Sequence, residues 1–227
     1  LNDLLDRRRR GDNVVGALLG TEGSHALDGQ LENIDRLYAA GFRMMGLQHF
    51  FDNRLGGSLH GESQTGLTAF GEEAVRTMHA RGIMIDVAHS SEATVRDTLR
   101  VTGGGALIVS HTGFNGHCPS PRNISDETMA MITEAGGLIG VGFWSDVVCG
   151  ASINAIVSAI RYGVDRFGLE HIALGSDWDG SVTTPIDASQ LPHLTQALLD
   201  ADFTEQQVAA VMGGHMARFL DDHLPPQ

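Results

Sequence analysis

The chain has 227 residues, 42% hydrophobic and 19% charged, enough for one globular domain with a sizeable core. Its net charge of −13, spread along the chain rather than gathered in a tail, argues against nucleic acid and anionic membrane as partners. No apolar run approaches the roughly 18 residues needed to cross a bilayer, so no membrane segment is expected.

In chain order, the start Leu1-Asn2-Asp3 has neither an initiating Met nor the apolar stretch of a signal peptide, and reads as a fragment or a processed end. Arg7 to Arg10 form the one basic run, read as a solvated helix face in preference to a phosphate patch. Six short apolar runs then read as buried strands: Val14 to Leu19, Met44 to Leu47, Ile83 to Ala88, Ala106 to Val109, Leu138 to Phe143 and Ile172 to Leu174. Helical periods separate them. Leu31, Ile34, Leu37 and Tyr38 share a face, as do Ala74, Val75 and Met78, then Ile153, Ile156, Val157 and Ile160, then Leu194 with Leu198, and last Val208, Val211 and Met212. Ser91 and Asp126 are placed as N-caps. Cys118 and Cys149 do not make a disulfide framework, so free thiols in a reducing, cytoplasmic setting are expected.

Six strand–helix units in series imply an α/β fold with a parallel sheet, because parallel neighbours need crossover connections. A closed eight-stranded barrel and a doubly wound open sheet both satisfy that pattern. Gly103-Gly104-Gly105 precedes a strand and has no helix after it, so no dinucleotide turn is present. A (β/α)8 barrel runs to about 250 residues, so two strand units are unaccounted for. Residues 1–227 are read as one domain, incomplete at its amino end.

The polar residues fall where strands end, which in such barrels is where chemistry sits. The first strand runs into Glu22, the second into His49, the third into His89, the fourth into His111 and the last into Asp177-Trp178-Asp179-Gly180. Any one of these has a bland reading, such as a capped histidine or a turn carboxylate. Five together on one rim suit Zn²⁺ or another first-row divalent ion. A competing local zinc clip of His111, His117 and Cys118 offers three of the four ligands a structural site requires.

At these residues the sequence resembles the membrane dipeptidase family, metallopeptidase family M19 of the amidohydrolase superfamily. The likeness is carried by Gly20-Thr21-Glu22-Gly23-Ser24-His25, Gly66-Leu67-Thr68-Ala69-Phe70-Gly71, Ile85-Asp86-Val87-Ala88-His89-Ser90-Ser91, Ser110-His111, Pro121-Arg122-Asn123, Gly175-Ser176-Asp177-Trp178-Asp179-Gly180 and Gly213-Gly214-His215. The resemblance implies a TIM-barrel-like hydrolase that cleaves dipeptides with a hydroxide bridging two Zn²⁺ ions. It makes Glu22 the bridging carboxylate and His89 and His111 ligands of one ion. His49 resembles the histidine that polarises the substrate, Arg122 the arginine that grips the substrate carboxylate, and Asp177 the aspartate that handles the proton. His215, where relatives commonly carry Asn, reads as structural.

The family's opening strand ends in His-x-Asp, whose two side chains ligate the other zinc, and that motif is absent here. One ion or none is therefore expected on this chain alone, with unpaired sheet edges that favour a homo-oligomer or a separate closing piece. The expected partner is a dipeptide or another small carboxylate-bearing substrate. Two other functions fit the same residues: a non-catalytic remnant that binds a small ligand or partner, and an N-acyl amino acid hydrolase.

Overall fold

A computed structural model describes residues 1–105 and 107–225. It contains six parallel strands in sequential order: β1 (Leu19–Thr21), β2 (Phe42–Gly46), β3 (Met84–Asp86), β4 (Leu107–Thr112), β5 (Leu138–Val141) and β6 (Ile172–Leu174). The helices are α1 (Asn2–Arg9), α2 (Glu32–Ala39), α3 (Ala69–Ala80), α4 (Glu92–Thr102), α5 (Asp126–Glu134), α6 (Ser145–Val148), α7 (Ile153–Phe167), α8 (Leu191–Asp200), α9 (Glu205–Ala209) and α10 (His215–His223). Among the described residues, β1 and β6 each pair with one neighbour, so the sheet is an unclosed run of barrel strands.

Alternation along the strands builds two apolar layers. Ile85, Leu107, Val109, Ile139, Val141 and Ile172 face the surrounding helices and join Ala74, Val75, Met78, Ile156 and Ile160 in the main core. Met84, Ile108, Leu138 and Ala173 face the other way, where Phe219 of α10 covers them in a second cluster. That inner layer continues upward as Asp86, Ser110, Gly140 and Gly175, towards the carboxyl ends of the strands. A Cβ at Gly140 or Gly175 would collide with the Ser110 carbonyl, so only glycine lets β4, β5 and β6 converge beneath the rim.

Most expected elements are present, with shifts that have physical causes. The first strand begins at Leu19, not Val14, and Val15 is 89% exposed. Its backbone pairs only where β2 runs alongside, from Leu19 opposite Phe42 to Thr21 opposite Met45. The strand expected from Ala106 is seen from Leu107, Ala106 lying outside the described residues. Ser91 caps α4 by accepting from the Thr94 amide, as expected. The cap of α5 is Ser125 instead of Asp126, its hydroxyl accepting from the Thr128 amide. Asp126, one residue on, accepts from the Gly116 amide and the Tyr162 hydroxyl and so ties the loop after β4 to α7.

Arg7 to Arg10 lie on and just past an amino-terminal helix with no buried residue, paired locally with Asp6 and Asp12. The expectation of free thiols is overturned, because Cys118 and Cys149 form a disulfide. Their separation of 31 residues said nothing of proximity; the packing of α6 against the loop after β4 brings them together. The disulfide also removes the local zinc clip, since Cys118 has no thiolate to give and the His117 ring packs on Tyr162. His215 is structural as expected: it is buried, and its Nδ1 lies 2.8 Å from the Ile172 carbonyl of β6.

Candidate metal centre

Glu22, His89 and His111 arrive from the ends of β1, β3 and β4, and their ligating atoms meet. Glu22 Oε1 lies 3.1 Å from His89 Nε2 and 3.1 Å from His111 Nε2, and the two ring nitrogens are 3.0 Å apart. His49, after β2, stands slightly farther off, its Nε2 3.6 Å from the same carboxylate oxygen. Glu22, His49 and His89 also offer atoms that all lie within 4.8 Å of one another, so His49 is within reach of the cluster.

The donor set fits a divalent cation. Three atoms rich in lone pairs stand in mutual contact, and at most one proton can lie between the two ring nitrogens. An ion held about 2.0–2.2 Å from each donor would satisfy all three at once. The shorter distances favour Glu22, His89 and His111 over the combination that includes His49.

The surroundings hold these side chains in charge states suited to ligation. The rings of His111 and then His89 beside it hold the Glu22 carboxyl far below the usual carboxylate range, against the opposing effect of its partial burial. Burial pushes His89 down to about 3, which leaves its imidazole neutral, although Glu22 pulls the other way. Its backbone is left-handed (φ 62°), a conformation that costs a non-glycine residue about 1–3 kcal/mol. The loop after β2 braces it: the Leu59 amide donates to the His89 carbonyl, and the Ser58 hydroxyl sits between the carbonyls of His49 and His89.

Arg122 and Asp177 complete the rim. Arg122 is buried, and desolvation lowers its guanidinium to about 10, opposed by Asp177, Asp86 and Glu22. Its Nη2 lies 3.1 Å from His89 Nε2 and donates to the His111 carbonyl, while Nη1 is buried without a partner among the described residues. The Arg122–His89 contact uses the lone pair that an ion would need, so the two exclude each other. A buried, half-paired guanidinium is poised for an anion. Asp177 is half-buried and also left-handed (φ 59°), and desolvation raises its carboxyl pKa. Asp179 is exposed.

Reasoning from sequence passed over several groups around the centre. Asp86 is a buried carboxylate within a strand, bonded to Ser110, and Ser110 in turn reaches the His111 ring. Phe50 and His60 pack on His89, with ring centroids 5.2 and 5.3 Å away, and the His60 Nε2 is buried without a partner. Trp144 lies 6.1 Å from the His111 ring and 5.4 Å from the Arg122 guanidinium. An Asp inside the apolar run Ile83 to Ala88 was the available signal for the first; the others come from loops whose paths sequence does not reveal.

The family model of the membrane dipeptidases, peptidase family M19, matches residues 1–223. A Klebsiella pneumoniae protein from the pqqA 5' region is 31% identical over 229 residues, covering 94% of this chain and 84% of its own. A dipeptidase of Aspergillus oryzae, aclJ, is 31% identical over 218 residues, 92% of this chain but 51% of that protein. The chain thus spans about half the length of that fungal relative. Among solved structures, a metallo peptidase of Rhodobacter sphaeroides, liganded with a phosphinate mimic of the dipeptide L-Ala-D-Ala, superposes with a TM-score of 0.83 at 25% identity, covering 96% of this chain and 66% of that one.

Proposed function

The chain belongs to the membrane dipeptidase family, peptidase family M19, and from that premise we propose that it forms the zinc-binding and substrate-orienting part of a dipeptide hydrolase. The observation that carries this reading is the convergence of Glu22, His89 and His111 on one another at 3.0–3.1 Å. These three residues would hold a Zn²⁺ ion, which when bound supplies a Lewis acid and lowers the pKa of an attacking water.

The remaining residues bind, orient and move protons. Arg122 presents a buried fork to the free carboxylate of the substrate, which fixes the scissile bond and limits the substrate to short molecules. His49, half-exposed at the rim, donates to the carbonyl oxygen as it gains charge. Asp177, whose pKa is raised by desolvation, accepts the proton of the attacking water and passes it to the leaving amine.

Zinc loading followed by dialysis and elemental analysis tests the centre: one ion at most is expected per chain, and none after His111→Ala. With ligands for one ion, the chain alone is expected to turn over dipeptides slowly, with all of that turnover lost to a chelator. No bound zinc in the wild type, two ions tightly held, hydrolysis that survives chelation, or hydrolysis confined to N-acyl amino acids would overturn the proposal.

A further inference from the structure

Behind the candidate ligand His111 lies a hydrogen-bonded chain with one consistent direction. Asp86 is buried on the inner face of β3. Its Oδ1 accepts from the Ala88 amide at 3.0 Å and the Ser110 amide at 2.9 Å. Its Oδ2 is 2.6 Å from Ser110 Oγ, and that same Oγ is 2.8 Å from His111 Nδ1. A carboxylate has no proton to give, and a serine hydroxyl has one. The Ser110 proton therefore points to Asp86, and its oxygen must accept from His111. That requires a proton on Nδ1.

We propose that Asp86 and Ser110 are positioning residues that lock His111 in the Nδ1-protonated tautomer and so turn the lone pair of its Nε2 towards Glu22 and His89. The proposal rests on the reading of His111 as a metal ligand and extends it to the groups that aim the ring. Glu22 opposes the lock: its Oε1, 3.1 Å from His111 Nε2, would accept a proton placed there. The inner contact decides for Nδ1. Glu22 is exposed, so water can satisfy its carboxylate, whereas in the buried 2.6 Å contact between Asp86 and Ser110 only the serine hydroxyl can supply the proton. The Arg122 guanidinium also donates to the His111 carbonyl, which anchors the backbone that carries the ring. His89 differs: Arg122, which can only donate, takes the Nε2 lone pair and so leaves the proton on an Nδ1 that is buried with no partner among the described residues. Partners of this kind behind a ligating histidine commonly govern metal affinity by 10–100-fold.

Asp86→Asn is the informative change because it keeps the shape and reverses the chain. The new amide would donate to Ser110, the hydroxyl would donate to Nδ1, and the ring proton would move to Nε2. Long-range ¹H–¹⁵N correlation spectra of metal-free protein, with His111 assigned by its loss in His111→Asn, read the tautomer directly. Wild type should carry the proton on Nδ1 and Asp86→Asn on Nε2. Competition with a chromophoric chelator should show zinc binding about 10–100-fold weaker in Asp86→Asn and in Ser110→Ala. Ser110→Ala leaves both backbone bonds to Asp86 in place and serves if Asp86→Asn does not fold.

A wild-type ring protonated on Nε2, an unchanged tautomer in Asp86→Asn, or undiminished zinc affinity in Ser110→Ala would overturn the proposal. Absence of zinc binding in the wild type would sink the metal reading instead, while the tautomer would still report on the hydrogen-bonded chain.

Discussion

The centre of the sheet and its first edge contribute to the same site in opposite ways. β3 and β4 are paired on both sides, covered on both faces, and almost wholly buried. The two histidines at their carboxyl ends are buried as well, one strained and braced by a loop, the other backed by Ser110 and Asp86. β1 is short, exposed along most of its length and paired on one side, and the Glu22 that follows it is exposed. Glu22 is held in place by the charges and ring nitrogens it faces, with little packing around it. Paired strands can therefore preorganise ligands before an ion arrives, whereas the edge ligand is placed chiefly by its partners.

The largest expected break of this contrast is at the ligands. His111→Ala and His89→Ala should each abolish zinc retention, because either leaves two donors for an ion that wants four. Glu22→Gln keeps a neutral oxygen donor at the exposed edge and should weaken retention without abolishing it. Equilibrium dialysis against zinc ranks the three. Equal losses would mean that edge and centre are equally organised.

Packing comes next. Ile85→Ala on β3 should cost about 2–5 kcal/mol in urea unfolding, as other buried truncations do. Leu19→Ala on β1, where the side chain is 48% exposed, should change stability by no more than about 0.5 kcal/mol. The disulfide is comparable to the core truncation in effect. Closing a span of 31 residues, it should contribute about 3–4 kcal/mol by chain entropy, read as the difference between oxidised and reduced unfolding midpoints. Its loss should also loosen the loop that carries Arg122, since Asn123 bonds to the Cys118 and Val147 carbonyls on either side of the bridge.

Acid provides a finer test on the metal-free protein. The His89 pKa lies near 3 when folded against 6.5 in the reference state, so the unfolded chain binds more protons between those values. Stability should therefore fall as pH drops through that window, by at most about 1.4 kcal/mol per unit for this group. Glu22, also lowered, adds a loss of the same sign below its reference value of 4.5. His89→Asn should flatten the upper part of that slope. An unchanged slope would place the acid sensitivity elsewhere.

The smallest expected effect concerns substrate. Arg122→Ala should reduce hydrolysis of dipeptides with a free carboxyl terminus more than that of carboxyl-blocked analogues, measured as the ratio of kcat/KM. Equal losses would make Arg122 a brace for His111 through its bond to that carbonyl.

Much of this was legible in the amino acids. Short apolar runs alternating with helical periods require a parallel sheet, since each crossover needs a helix to cover it. Glu22, His49, His89, His111 and Asp177 stood out because each follows a strand, and backbone direction alone sends strand ends to one rim. The start of β1 was misjudged because Val14 and Val15 have strand-like side chains, while pairing depends on what runs beside them. The caps divided in the same manner: Ser91 stood alone before its helix, but Ser125 and Asp126 both had suitable side chains, and local geometry chose the hydroxyl.

What the order of residues determined, then, was the class of fold and the set of polar groups delivered to its rim, because periodicity and strand direction are local properties. Tertiary structure alone decided the pairing of Cys118 with Cys149, the burial of Arg122, and the run from Asp86 through Ser110 to His111. Each joins segments 20 or more residues apart, and sequence distance carries no information about such contacts until the chain has folded them into reach.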